Sequence, residues 1–157
     1  MSESCTVNIQ NNSGRQLDAV LMWHTSLSPD PSDLVPSAAV IQATGVQPGA
    51  TLNGTAELTR FSPTDYWSAG VRFQGDGETY TLAGLTGEVA KEYEVSDGST
   101  ITFIINQYSQ GTANQNDVTI QYSGDDGGTA LLLNSTTILL AGLGNAIGEA
   151  VAEAIAE

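Results

Sequence analysis

The feature that most limits what this chain can fold into is a period-two alternation of apolar and polar residues. It recurs along most of the sequence and is cut repeatedly by turns bearing Gly, Asn, Asp or Pro. Such alternation sends successive side chains to opposite faces of a strand, so that one face can be buried while the other stays wet. In CTVNIQNN, Val7 and Ile9 share one face and Thr6 and Asn8 the other. After a turn at Ser13-Gly14, QLDAVLMWH places Leu17, Ala19, Leu21 and Trp23 on one side. The opposite side, Asp18, Val20, Met22 and His24, is less polar than a fully wet face. These two strands together predict a hairpin.

The run FSPTDYWSAGVRFQGDGETYTL repeats the pattern with larger side chains. Trp67, Ala69, Val71 and Phe73 face one way, and Tyr66, Ser68, Gly70 and Arg72 the other. Gln74-Gly75-Asp76-Gly77 forms the loop of a hairpin whose return strand is ETYTL. Trp67 is expected in the core of a central strand. Gly70, in mid-strand, implies a bulge or a large neighbour packed over the backbone. Pro29, Pro31 and Pro36 mark residues 25–37 as a loop, because proline removes a backbone donor and breaks helix. AAVIQATGV reads as a short strand, Pro48-Gly49 as a turn, and ATLNGTAEL as a Thr-rich, edge-like strand. VAKEYEV, STITFIINQY and DVTIQYS continue the alternation.

Many short strands at this spacing predict an all-β fold, an antiparallel two-sheet β-sandwich spanning residues 1–128. A chain of 157 residues with 17 glycines fits one such domain. Residues 129–157 differ in composition, being rich in Ala and Leu. From Asn145, an apparent N-cap, Ile147, Ala150, Val151, Ala154 and Ile155 share a helical face, while Glu149, Glu153 and Glu157 line another. Periodicity does not separate strand from helix for residues 129–145. Their length is near that of a membrane span, but Asn134, Ser135, Thr136 and Thr137 make them polar and no Lys or Arg flanks them. The sequence reading gives this apolar segment more surface than its own domain shelters. It therefore predicts self-association, as homo-oligomer or filament, through Leu131, Leu133, Leu139, Leu140, Leu143, Ile147, Val151 and Ile155.

Charge narrows the partners. Eighteen acidic residues against four basic ones give a net charge of -14, which repels nucleic acid and anionic lipid. Neutral membrane lipid remains open. The N-terminus has neither the basic nor the apolar region of a signal peptide, so a cytoplasmic or non-classically exported protein is expected.

Five stretches carry a resemblance: TVNIQNNSGRQL, MWH, VQPGATLNGTAEL, TDYWSAGVRFQGDGETYTL and VSDGSTITFIINQ. Over residues 5–123 the chain resembles the aegerolysin-like β-sandwiches, and more closely the branch named for nematode proteins up-regulated in insulin-receptor mutants. The Asp65-Tyr66-Trp67 triplet is the most specific feature. The resemblance implies a sandwich without catalytic machinery that recognises membrane lipids and can act as partner to a pore-forming protein.

Chemical motifs are sparse. His24 is the single histidine and reads as a strand-end anchor; Cys5 has no positive neighbour that would favour a thiolate. Asp125-Asp126 reads as a loop, since catalytic carboxyl pairs sit on facing elements. No catalytic residue, metal ligand or cofactor is assigned. Tyr66, Tyr80, Tyr93 and Tyr108 are the candidate ligand-facing aromatics, each combining an apolar body with a polar tip.

Overall fold

The computed structural model describes residues 3–58, 64–85, 90–106, 114–137 and 141–156. Among the described residues, ten strands precede one α-helix. They are β1 (Glu3–Asn11), β2 (Leu17–Thr25), β3 (Ile41–Val46), β4 (Thr51–Leu58), β5 (Tyr66–Phe73), β6 (Thr79–Ala83), β7 (Lys91–Glu92), β8 (Thr100–Ile105), β9 (Val118–Tyr122) and β10 (Asp125–Asn134), followed by α1 (Ala141–Ala156). Hydrogen bonding links them in the order β3-β2-β5-β6-β10-β9-β8-β1-β4, with β7 added to β5. The result is one large mixed sheet, nearly barrel-shaped, rather than two antiparallel sheets. β1 and β8 run parallel, with Val7 opposite Ile101 and Ile9 opposite Phe103. The predicted β1–β2 hairpin does not form, because β1 pairs with β4 and β8 while β2 pairs with β3 and β5. Asn11 fixes the corner between them. Its buried amide donates to the carbonyls of Arg15, Val46 and Gln47, and its Oδ1 accepts from Ser13.

The interior holds Val7, Ile9, Val20, Met22, Trp67, Val71, Phe73, Ile101, Phe103 and Ile120, all nearly fully buried. A void of about 10 Å³ among Met22, Val71, Leu82, Phe103 and Leu132 is apolar. It has the volume of about one water and offers that water no hydrogen-bond partner.

A second cluster lies outside the sheet. Both faces of β2 are buried, which explains why neither read as wet. Val20 and Met22 point inward, whereas Ala19, Leu21 and Trp23 point outward beneath α1. A register shift between Leu17 and Ala19 turns Leu17 to the interior instead of the face predicted for it. From α1 come Leu143, Ile147, Ala150, Val151 and Ala154. The helix begins one turn before Asn145, which is an exposed helical residue and not its cap, because Leu143 already belongs to the packed face.

Gly70 shows how close this docking is. A Cβ there would lie 2.6 Å from Ile147 Cγ2 and 2.7 Å from Val151 Cγ2. Both atoms belong to β-branched side chains held on a docked helix, so neither can simply swing away. Gly70→Ala is expected to lift α1 and to cost about 1–3 kcal/mol, the usual range for overpacking. Urea unfolding followed by Trp23 fluorescence measures this. An unchanged midpoint would show that the helix does not need the gap.

Candidate functional site

The chain's only histidine meets a fully buried carboxylate. His24 lies at the end of β2, and Asp65 immediately precedes β5. His24 Nε2 is 2.7 Å from Asp65 Oδ1, and the two side chains are 4% and 1% exposed. Asp65 Oδ2 accepts the Val95 N–H at 3.0 Å. The His24 ring packs on Trp67 with centroids 4.7 Å apart, and Trp67 Nε1 donates to the Tyr93 carbonyl. The Asp65-Tyr66-Trp67 triplet is thus a fastener that joins the end of β2, the start of β5 and the segment 93–95 that follows β7. No hydroxyl or thiol among the described residues hydrogen-bonds the ring. A nucleophile beside the histidine, which acyl-transfer chemistry needs, is missing from that set. The sequence shows both residues but not their pairing across 41 positions.

The predicted assembly residues are placed differently from expectation. Leu143, Ile147 and Val151 are buried against the chain's own sheet, Leu133 packs on the same cluster, and Leu131 is half-buried in β10. Ile155 is 38% exposed; Leu139 and Leu140 lie outside the described residues. The premise that the tail exceeds what its own domain shelters is therefore corrected. β10 crosses the expected boundary at residue 128 and sits between β6 and β9. It supplies Ala130 and Leu132 to the core. No helix among the described residues is long and apolar enough to cross a membrane.

The aromatics also divide. Tyr80 is buried edge-on against Phe73, because β6 is covered on both faces, so it faces no ligand. Tyr93 is half-buried, stacked edge-on with Tyr122, and its Oη lies 2.9 Å from where a Gly127 Cβ would stand. Burial pushes the Tyr122 phenol up. Hydrogen bonds with Ser96 and Ser99 outweigh that effect and hold it below the ordinary tyrosine value. Tyr108 lies outside the described residues. Tyr66 remains half-exposed.

Tyr66 marks one end of the barrel. It is paired with Thr25, the last residue of β2. β5 is antiparallel to both β2 and β6, so those two strands leave the sheet at the Tyr66 end. Just beyond them stand Leu27, 60% exposed, and Leu85, 50% exposed. Thr25 Oγ1 is buried there without a hydrogen-bond partner. Strand direction thus sends two exposed leucines toward the end of the sheet at which β5 begins with Tyr66. Sequence reading found Tyr66 but missed the leucines, whose prominence depends on strand direction. No family model matches this chain, and no curated protein matches it.

Proposed function

We propose that this protein is a non-enzymatic binding module that attaches to neutral membrane lipid through the barrel end carrying Leu27, Tyr66 and Leu85. The reading rests on the exposure of Leu27 and Leu85 and on strand direction, which sends both toward the end that carries Tyr66. Single exposed leucines are ordinary, but several at one end mark a contact surface. One further feature supports it. The net charge of -14 selects against anionic surfaces, leaving zwitterionic ones. The resemblance of residues 5–123 to aegerolysin-like sandwiches points the same way. On this reading the His24–Asp65 pair shapes the end of the barrel and does no chemistry.

Co-sedimentation with phosphatidylcholine–sphingomyelin vesicles tests the proposal. Binding is expected there and not to phosphatidylserine vesicles. Leu27→Asp with Leu85→Asp is expected to weaken it about tenfold or more, since each leucine withdrawn from lipid forfeits roughly 1.5–3 kcal/mol. A wild-type protein that stays in the supernatant with every vesicle, or a double variant that binds equally well, would overturn it.

A further inference from the structure

We infer that α1 is the seat of segment 26–39, so that the helix and the part of the chain bearing Leu27 are ordered and released together. As regulation of the lipid-binding end this rests on the function proposed above, whereas the coupling itself belongs to the free protein. Segment 26–39 leaves β2 after Thr25, and the chain enters β3 at Ile41. No strand ladder holds it. Its backbone hydrogen bonds are local, from the Asp33 N–H to the Asp30 carbonyl, Leu34 to Pro31, Ala38 to Val35 and Ala39 to Pro36. They shape two single turns, Pro31–Asp33 and Pro36–Ala38, without attaching them to the barrel. Among the described residues one hydrogen bond makes that attachment, from Trp23 Nε1 to the Val35 carbonyl at 2.8 Å.

The rest of the attachment is apolar and runs through the helix. Leu34, 1% exposed, lies in the outer cluster with Trp23 of β2 and with Leu143 and Ile147 of α1. Ala39 packs on the same cluster. Pro31 meets the start of the helix, where a Cβ on Gly142 would lie 3.3 Å from its Cγ. α1 thus lies beside both turns. Without the helix, Leu34 would keep only the sheet side of its pocket.

Leu27 and Val35 are exposed on this segment, while Pro29 and Leu34 are buried. Val35 directly follows Leu34, and its carbonyl is the one that Trp23 holds, so seating Leu34 fixes Val35. Pro29, Pro31 and Pro36 restrict the backbone, which lowers the entropy lost on seating. A few contacts therefore hold the segment, and loss of the helix removes most of them. Packed side chains with two arrangements carry coupling between distant groups in this way. Such coupling is reciprocal. Lipid that engages the seated segment must hold α1 down, and loosening α1 must free the segment. Helix and segment thus form one unit of local unfolding.

Amide hydrogen exchange of the full chain tests this, read by mass spectrometry on peptides from 26–39 and from α1, with and without phosphatidylcholine–sphingomyelin vesicles. Gly70→Ala presses on Ile147 and Val151 from the β5 side. It is expected to speed exchange in α1 and in 26–39 together. Trp23→Phe keeps an aromatic ring in the cluster but removes the indole N–H. It is expected to speed exchange in 26–39 about three- to tenfold, the effect of losing one neutral hydrogen bond. Saturating vesicles are expected to slow exchange in the C-terminal half of wild-type α1. Should Gly70→Ala fail to fold, Leu34→Ala removes the contact from the segment's side, and faster exchange in α1 is then the expected result. Exchange that quickens in α1 while 26–39 keeps its wild-type rate would overturn the coupling, as would vesicle binding that leaves α1 unprotected. Coupled exchange in a wild type that binds no vesicle would uphold the coupling and overturn the lipid function alone.

Discussion

Ile147→Asp is expected to unseat the C-terminal helix and unfold much of the protein, with no oligomer to dissociate through that face. Ile147 is fully buried between β5 and the rest of the outer cluster, with its Cγ2 over Gly70. The substitution forfeits the burial of a large aliphatic side chain, worth roughly 1.5–3 kcal/mol. It also places a carboxylate where nothing can solvate it, which costs several kcal/mol more or drives the helix out. A combined loss of about 4–5 kcal/mol is a large share of the ~5–15 kcal/mol that holds an ordinary domain together. The two tryptophans separate local from global loss, because Trp23 lies under the helix and Trp67 lies inside the barrel. Helix release alone shifts Trp23 emission to the red and spares Trp67, as Trp23→Phe and Trp67→Phe backgrounds will report. Ile147→Ala should behave as a milder version, at about 2–5 kcal/mol. A variant with unchanged stability and a reduced oligomeric mass would restore the tail as an assembly surface.

That reversal shows where the sequence was legible. Alternation located nearly every strand and assigned faces correctly where the register is regular. Trp67 lies in the core of a strand flanked by β2 and β6, and Gly70 is the site of a large neighbour packed over the backbone. ATLNGTAEL reads as edge-like, and β4 is an edge. Pairing was not legible, because a period of two specifies faces and says nothing of partners. Hence the β1–β2 hairpin was wrong, and the parallel β1–β8 pair, about ninety residues apart in sequence, was not foreseen. The tail was misjudged for a related reason. Its apolar surface was visible, but the face that receives it was hidden in the unusually apolar second side of QLDAVLMWH. Nothing local in that set connects it to the helix. Tyr80 was misassigned because alternation implies one wet face, and β6 has none. Of the proposed lipid-facing end, only Tyr66 carries a local signal; Leu27 and Leu85 are brought to it by strand direction.

Asp65→Ala tests whether the fastener at the barrel end is structural. The substitution leaves His24 Nε2 without its 2.7 Å partner and the Val95 N–H without its acceptor. Both groups are already withdrawn from solvent, so water replaces the lost bonds only if the end opens. Removing one member of a buried pair typically costs about 3–5 kcal/mol, most of it the penalty on the partner left behind. His24→Ala removes the ring and its contact with Trp67 but leaves Asp65 the Val95 N–H, so it should cost less. The double variant then reports the coupling directly. Residues in direct contact within one network show interaction energies of about 0.5–3 kcal/mol, whereas independent sites add. Coupling within that range, read from urea midpoints at constant m-value, is the expected result, together with faster backbone exchange at Val95. Strict additivity would mean that the pair does not act as a unit. A fold of unchanged stability in both single variants would free His24 for another role, and would remove the reason to treat Asp65-Tyr66-Trp67 as the clamp that presents Tyr66.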